Sequence, residues 1–564
     1  MSSRTLLSPQ QLQENSKKID ELVASRDLTL LKEFLSDICD NQYENPKDQA
    51  FHYYTIGTGY AETIELGPEL WSKDAIGKAV SYFRRSIFSS GFKLLDPELA
   101  SRIYINLGNA YSKQGRALEA LHEYNTATLT YQNPITLLNK GVDLLRLSLD
   151  LSYADQCIRF QKEAYETLSF LYLYKTEMFA PEHVKLMESD GTTISFLDWY
   201  SQTYGETSEH FPELDNSNSK GRSGKERRYR KWCLTNRLYI NEANDISDDE
   251  KIGQDTLCFP SLIKKLNPLI STTESLALSA SFSEIKYQYA FARHNYFESI
   301  TSVNALSEKQ HFADKNLRLT NSLDYCIYRR DTEQLKVSFR LFYSCFDKIA
   351  LLLKKYLLID IGDHRVSFST VWFKEQKHKT NKAKGAPPEI RDFFIDNQNP
   401  FFLALYWLSR DINDNEEDGH NYWMDTNAQK LADIRNKMEH QGFRVVMESM
   451  HRINSKFDSD RTNEAITEHK SQLDNLEALL AASDDPNTQT IIKDRINAIY
   501  EFFKEREHLN GYPLTITDSE LKEQTMRLMK KLRYALIYLA LGINLEEQKK
   551  RPETPLMQLE VPLL

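Results

Sequence analysis

Between Tyr104 and Ala127 the chain places small residues and aromatics at the positions that two closely crossing helices require. Gly108 and Ala120 are small where the helices would cross, while Tyr111 and Tyr124 are large enough to fill the space between neighbouring helix pairs. Leu107 and Ala127 extend the apolar faces, Gly115 stands where the turn must fall, and Pro134 marks the point where the unit should close. One such hairpin cannot bury its own faces, so the pattern requires neighbours. Upstream, Gly57 and Tyr60 with Ala79 and Phe83 repeat the arrangement around a turn enlarged by about ten residues, Gly67-Pro68 among them. Downstream, the stretch from Pro134 to Tyr165 keeps Gly141, Leu144 and Ala154 at comparable offsets.

The stretch from Tyr104 to Ala127, with Pro134, resembles one tetratricopeptide (TPR) repeat. The resemblance implies a helical solenoid whose concave face can take a protein or peptide regulator. The residues that carry it are packing residues, and they suit a spacer or a dimer scaffold equally well.

A chain of 564 residues exceeds one ordinary core and suggests three or four folding units of roughly 100–200 residues. Hydrophobic residues at 41% and charged ones at 27% are those of a globular protein. The net charge of −10 argues against a generally basic surface, so any nucleic-acid contact must be local. Cys39, Cys157, Cys233, Cys258, Cys326 and Cys345 are scattered, without a CxxC pair or histidines at zinc-finger spacing, which fits a reducing cytosol. No leader-like apolar core opens the chain and no run of about 18 apolar residues occurs, so a cytoplasmic protein that does not span a membrane is expected.

From Gly205 to Gly224 the chain turns polar and reads as a linker, ending in a basic cluster of Lys220, Arg222, Lys225, Arg227, Arg228, Arg230 and Lys231. Charge at this density suits phosphates as well as a solvated helix start. The following stretch, Tyr229 to Asn241, is aromatic and apolar enough to dock between modules, and Thr273–Glu308 reads as one or two helices.

Four long helical patterns come next: Thr332–Ile359, Phe401–Ile412 running into an acidic stop at Asp411–Asp418, Thr426–Gln441 with Gly442 as a C-cap, and Leu521–Ile543. This is the arithmetic of a helical bundle. Thr488–Arg506 is also helix-like, and Ser455–Asp485 reads as loop, helix or both.

The third helix carries Ile434-Arg-Asn-Lys-Met-Glu-His440, an Arg-x4-His pair. Arg116-x5-His122 and Arg444-x6-His451 have similar spacing, so context must separate them. Only Arg435 and His440 have two helices before them, an Asn directly after the Arg and a long helix after the pair. With this motif, residues 321–546 resemble the HEPN superfamily, and Ser344 with Phe346-Asp347-Lys348-Ile349 resembles the branch in which the domain follows TPR-like repeats. Trp232-Cys-Leu and Asn236 extend that likeness upstream. The expectation is an all-α chain: TPR-like helical repeats over residues 1–200, a linker and connecting helical segment over 201–320, a HEPN-like helical bundle over 321–550 and a tail over 551–564.

The resemblance implies a metal-independent endoribonuclease that acts as a homodimer or higher oligomer, needs no cofactor, and works in antiviral defence or stress response as a toxin-like enzyme. His440 is then the general acid/base, since imidazole titrates near neutrality. Arg435 is the electrostatic partner of the phosphorane, and Asn436 orients His440 or the phosphate. Asp347, Lys348 and Glu439 are secondary candidates. Lys348, Lys374, Lys377 and Lys379, with His378, Lys382 and Lys384 nearby, are candidate RNA contacts. Where some HEPN toxins carry a modified Tyr two residues after the motif His, this chain has Gly442, which speaks against control by that route. No HExxH or Walker loop occurs. The competing reading is a non-catalytic TPR adaptor that uses the bundle for dimerisation or nucleotide binding.

Overall fold

A computed structural model describes the chain apart from residues 1–5, 72, 152, 206–222, 264–268, 302–312, 314–315, 320–325, 375–388, 413–427, 441, 484, 510–513 and 551–564. For residues 6, 73–74, 428–429, 440, 449–460 and 506–509 it describes the backbone alone. Lys220, Arg222, Lys377, His378, Lys379, Lys382, Lys384, the acidic stop after Ile412 and the tail therefore lie outside the described residues.

The fold is all-α in class. A short parallel pair, β1 (Leu6–Leu7) with β2 (Gln42–Tyr43), brackets α1 (Pro9–Ser25) and α2 (Leu28–Ile38). Three helix hairpins follow: α3 (Pro46–Glu62) with α4 (Lys78–Phe88), α5 (Pro97–Lys113) with α6 (Ala117–Thr130), and α7 (Pro134–Asp150) with α8 (Ala154–Leu173). Each first helix starts with a proline behind an Asn or Asp cap, the local chemistry that satisfies its leading amides. Each hairpin crosses at a glycine. A Cβ on Gly57 would stand 2.7 Å from the Phe83 ring, one on Gly108 2.6 Å from Tyr124, and one on Gly141 2.7 Å from Leu168. The first hairpin carries the enlarged turn expected at Gly67-Pro68, wound into short helical turns over Pro68–Trp71 and Lys73–Gly77.

Beyond the hairpins come α9 (Lys175–Met178), α10 (Pro181–Ser189), α11 (Gly191–Tyr204), α12 (Gly224–Thr235), α13 (Thr272–Ser275), α14 (Ala277–Thr301) and α15 (Arg330–Tyr356). Then follow α16 (Asp392–Asn397), α17 (Pro400–Ile412), α18 (Ala428–His440), α19 (Glu448–Ala482), α20 (Pro486–Leu509) and α21 (Asp518–Lys549). Among the described residues no helix is long and apolar enough to cross a membrane.

The chain divides into two compact units, and the boundaries fall within α14, α15, α18 and α21. The first comprises residues 1–290, 344–429 and 529–564. Its centre is α17, in which every residue from Phe401 to Ile412 is buried, together with Ala535–Leu541 of α21. A helix buried on all sides belongs in the middle of a core. Gly115, at φ +74°, lets the turn between α5 and α6 approach Pro400, whose carbonyl oxygen would lie 1.9 Å from a Cβ there. The enlarged turn accepts hydrogen bonds from Tyr406 Oη to the Trp71 carbonyl and from Trp407 Nε1 to the Leu70 carbonyl, each 3.0 Å.

The second unit comprises residues 291–343 and 430–528. In it Asn295 Nδ2 donates to the Gln334 carbonyl at 3.1 Å and Tyr296 Oη to the Lys522 carbonyl at 3.1 Å, joining α14, α15 and α21 into a helical bundle. Two strands that periodicity did not anticipate lie here: β3 (Phe443–Val446) pairs in parallel with β4 (Leu514–Thr517), and Cys326 bridges Val446 on the other side. The stretch left open at Ser455–Asp485 is helical as part of α19, apart from its last residues.

Candidate active site

The motif helix α18 buries Leu431, Ile434 and Met438, a stripe at i, i+3 and i+7 that turns one side inward. Arg435 borders this stripe and is half-buried, Asn436 is exposed, and His440 is the last residue of the helix, its side chain outside the described residues. β3 begins at Phe443, shortly after the end of the motif helix.

Arg435 has a built seat. Its guanidinium lies over the ring of buried Tyr343, 5.5 Å from the centroid, and its Nη1 donates to Asn436 Oδ1 at 2.9 Å. A cation over a ring face is attracted by the ring quadrupole, and the ring fixes the plane of the guanidinium. Tyr343 is itself stacked on Phe339 one turn earlier on α15, with centroids 6.4 Å apart. The same helix holds the other end of the motif. Arg340 Nη2 donates to the Met438 carbonyl at 3.0 Å, one of the carbonyls that a helix end leaves unpaired, and its Nε lies 3.2 Å from Glu439 Oε1. At the start of α18, Lys430 pairs with Glu520, and burial pulls its ammonium below the ordinary lysine range.

The other expected residues have partners of their own. Lys348 is held by Glu284 and by Gln288 Oε1 at 2.7 Å, and Asp347 accepts the Phe368 amide at 3.1 Å. Lys374 pairs with Asp392 at 2.7 Å and Glu389 at 3.5 Å. All three belong to the first unit, whereas Arg435 and Asn436 belong to the second. Glu439, a secondary candidate, is the partner of Arg340. Tyr343 and Arg340 were not anticipated. Their signal was an Arg and a Tyr three residues apart beside the apolar stripe of Phe339, Phe342 and Phe346.

The rival pair at Arg116 and His122 is disposed of by burial. Arg116 has no exposed surface and is spent on Glu119 and on Asp411 of α17, its Nη2 lying 2.8 Å from Asp411 Oδ2. Arg84 grips the same carboxylate with two bonds of 2.6 and 2.7 Å, and Lys531 adds a third cation at 2.8 Å. Burial raises the Asp411 carboxyl, but Arg116, Arg84 and Lys531 hold it well below the usual range. This cluster fastens the repeat hairpins to α17.

No curated protein and no solved structure matches the chain. A family model does, and it reaches farther upstream than the expected span and stops at the end of α19, taking in α14, whose Glu284 and Gln288 hold Lys348. Residues 270–482, the segment that bears Arg435, Asn436 and His440, match the model described as LA2681-like HEPN, which supports placing this segment in the HEPN superfamily.

Proposed function

We propose that this protein is a metal-independent endoribonuclease of HEPN type, cutting RNA by attack of a 2′-OH on the adjacent phosphate to leave a 2′,3′-cyclic phosphate and a 5′-OH. The observation that carries the reading is the seat of Arg435: a guanidinium on the accessible flank of α18, fixed by Tyr343 and Asn436, within a segment similar to HEPN domains. Preorganised donors of this kind stabilise charge as it develops on a phosphorane at no cost in reorganisation. In the reaction, imidazole takes the 2′-OH proton, the 2′-oxygen bonds to phosphorus, and imidazolium returns a proton to the departing 5′-oxygen. His440 supplies this chemistry, and two copies of the chain facing each other through α18 supply both protonation states. Asn436 orients Arg435 and the phosphate.

The repeat hairpins are the regulatory module, taking a protein or peptide signal in antiviral defence or stress response in the cytoplasm. They grip α17, the helix that precedes the motif helix, through Asp411.

The test is cleavage of mixed RNA in excess EDTA by wild-type protein and by His440→Ala, with product ends identified. Cutting by wild type alone, leaving cyclic phosphates, is expected. Equal cutting by both refutes the assignment of His440, and cutting by neither favours an adaptor or a nuclease awaiting its trigger.

A further inference from the structure

We infer that the exposed face of α12 is a binding surface for the sugar–phosphate backbone of single-stranded RNA. Lys225, Arg227, Arg228 and Lys231 are all exposed, and at about 100° per residue they occupy an arc of roughly 160° on one side of the helix. The acid within this run is engaged elsewhere: Glu226 Oε1 accepts from Arg230 Nε at 3.0 Å. Among the described residues no acid pairs with Arg227, Arg228 or Lys231. Half-buried Tyr229 and Trp232 lie stacked with centroids 6.3 Å apart and put aromatic surface beside the charge, the combination that single-stranded nucleic acid uses.

The face is firmly mounted. Cys233 and Leu234 are buried at the far end of α12, where the Leu238 amide bonds the Cys233 carbonyl at 2.9 Å and Asn244 Nδ2 the Leu234 carbonyl at 3.1 Å. The charge does not serve the helix itself. Lys225 and Arg227 in the first turn oppose the helix dipole, and Glu226 is the acid of that turn that offsets them. A polyanion lying along the face reverses the sign of that effect. A membrane surface fits less well, because an interfacial helix needs large apolar side chains on its outer side and the exposed residues of α12 are Gly224, Lys225, Arg227, Arg228, Lys231 and Thr235. That the strand is RNA rests on the ribonuclease reading. The surface itself rests on the geometry of α12.

The experiment measures binding of a non-cleavable 2′-O-methyl oligonucleotide to the full chain at several salt concentrations, for wild type and for the triple variant Arg227→Ala/Arg228→Ala/Lys231→Ala. Each phosphate contact on a single strand contributes about 0.7 to the salt slope, so the variant should bind at least ~10-fold more weakly with a slope lower by about 2. Unchanged affinity and slope overturn the proposal, as does a wild-type chain that does not bind the probe. RNA binding that survives while binding to phosphatidylserine vesicles is lost overturns it in favour of a membrane. If the chain binds as expected while wild type and His440→Ala cut equally, this surface stands and the assignment of His440 alone falls.

Discussion

Replacing Asp411 with Asn removes a carboxylate shared by three cations, Arg84, Arg116 and Lys531, in a place without exposed surface. Removing one partner of a buried ion pair costs about 3–5 kcal/mol, most of it from the charge left behind. Three such charges do not triple that figure, because Arg116 keeps Glu119 and Arg84 keeps the Tyr111 hydroxyl at 2.9 Å. We expect Asp411→Asn to lose about 3–5 kcal/mol at pH 7, read as a fall in the urea midpoint of the full chain by circular dichroism. The sign of the pH dependence follows from the carboxyl being held low. Its contribution is complete above the unfolded carboxyl pKa near ~4 and fades as pH falls below that value. The gap between variant and wild type should therefore close in acid. A loss below about 1 kcal/mol at pH 7, or a gap that stays constant on acidification, would refute the charge-cluster argument.

Tyr343→Leu should lower kcat about 2- to 30-fold by removing the ring beneath Arg435, as a cation–ring contact contributes roughly 0.5–2 kcal/mol, while Tyr343→Phe retains activity and both bind the RNA probe as wild type does. Leucine and phenylalanine variants of equal rate would sink that assignment. Glu242 is fully buried, and burial pushes its carboxyl up to about 7. The folded state then holds a proton that the unfolded state releases, so stability should fall as pH rises from about 4.5 to about 7, by on the order of 3 kcal/mol. Glu242→Gln should flatten that slope in urea melts across this range, and an unchanged slope would point to another group.

Much of the fold was legible because periodicity and turn chemistry are local. Gly108 against Tyr124 and the αL turn at Gly115 are features that a short stretch of sequence imposes on itself, and the structure has the same crossing in the flanking hairpins at Gly57 and Gly141. The inward stripe of α18 was legible for the same reason, with Leu431, Ile434 and Met438 at helical spacing. The two strands were not. Each has four residues, and β3 finds its partner β4 only some seventy positions later, through Phe443–Leu514 to Val446–Thr517.

What the sequence by itself determined is which segments are helical, where the repeat hairpins cross, and which Arg, Asn and His share the motif helix. Tertiary structure alone decided what those residues are free to do. Arg116 and Arg435 sit in almost the same local spacing, yet one is consumed by a carboxylate 295 positions away and the other rests on a tyrosine of a different helix. It also decided that the helices α14, α15, α18 and α21 each contain a boundary between compact units, which an unbroken helical pattern does not reveal. The reason is physical: helix formation answers to neighbours a few residues away, while burial of a charge answers to whatever the folded chain brings against it.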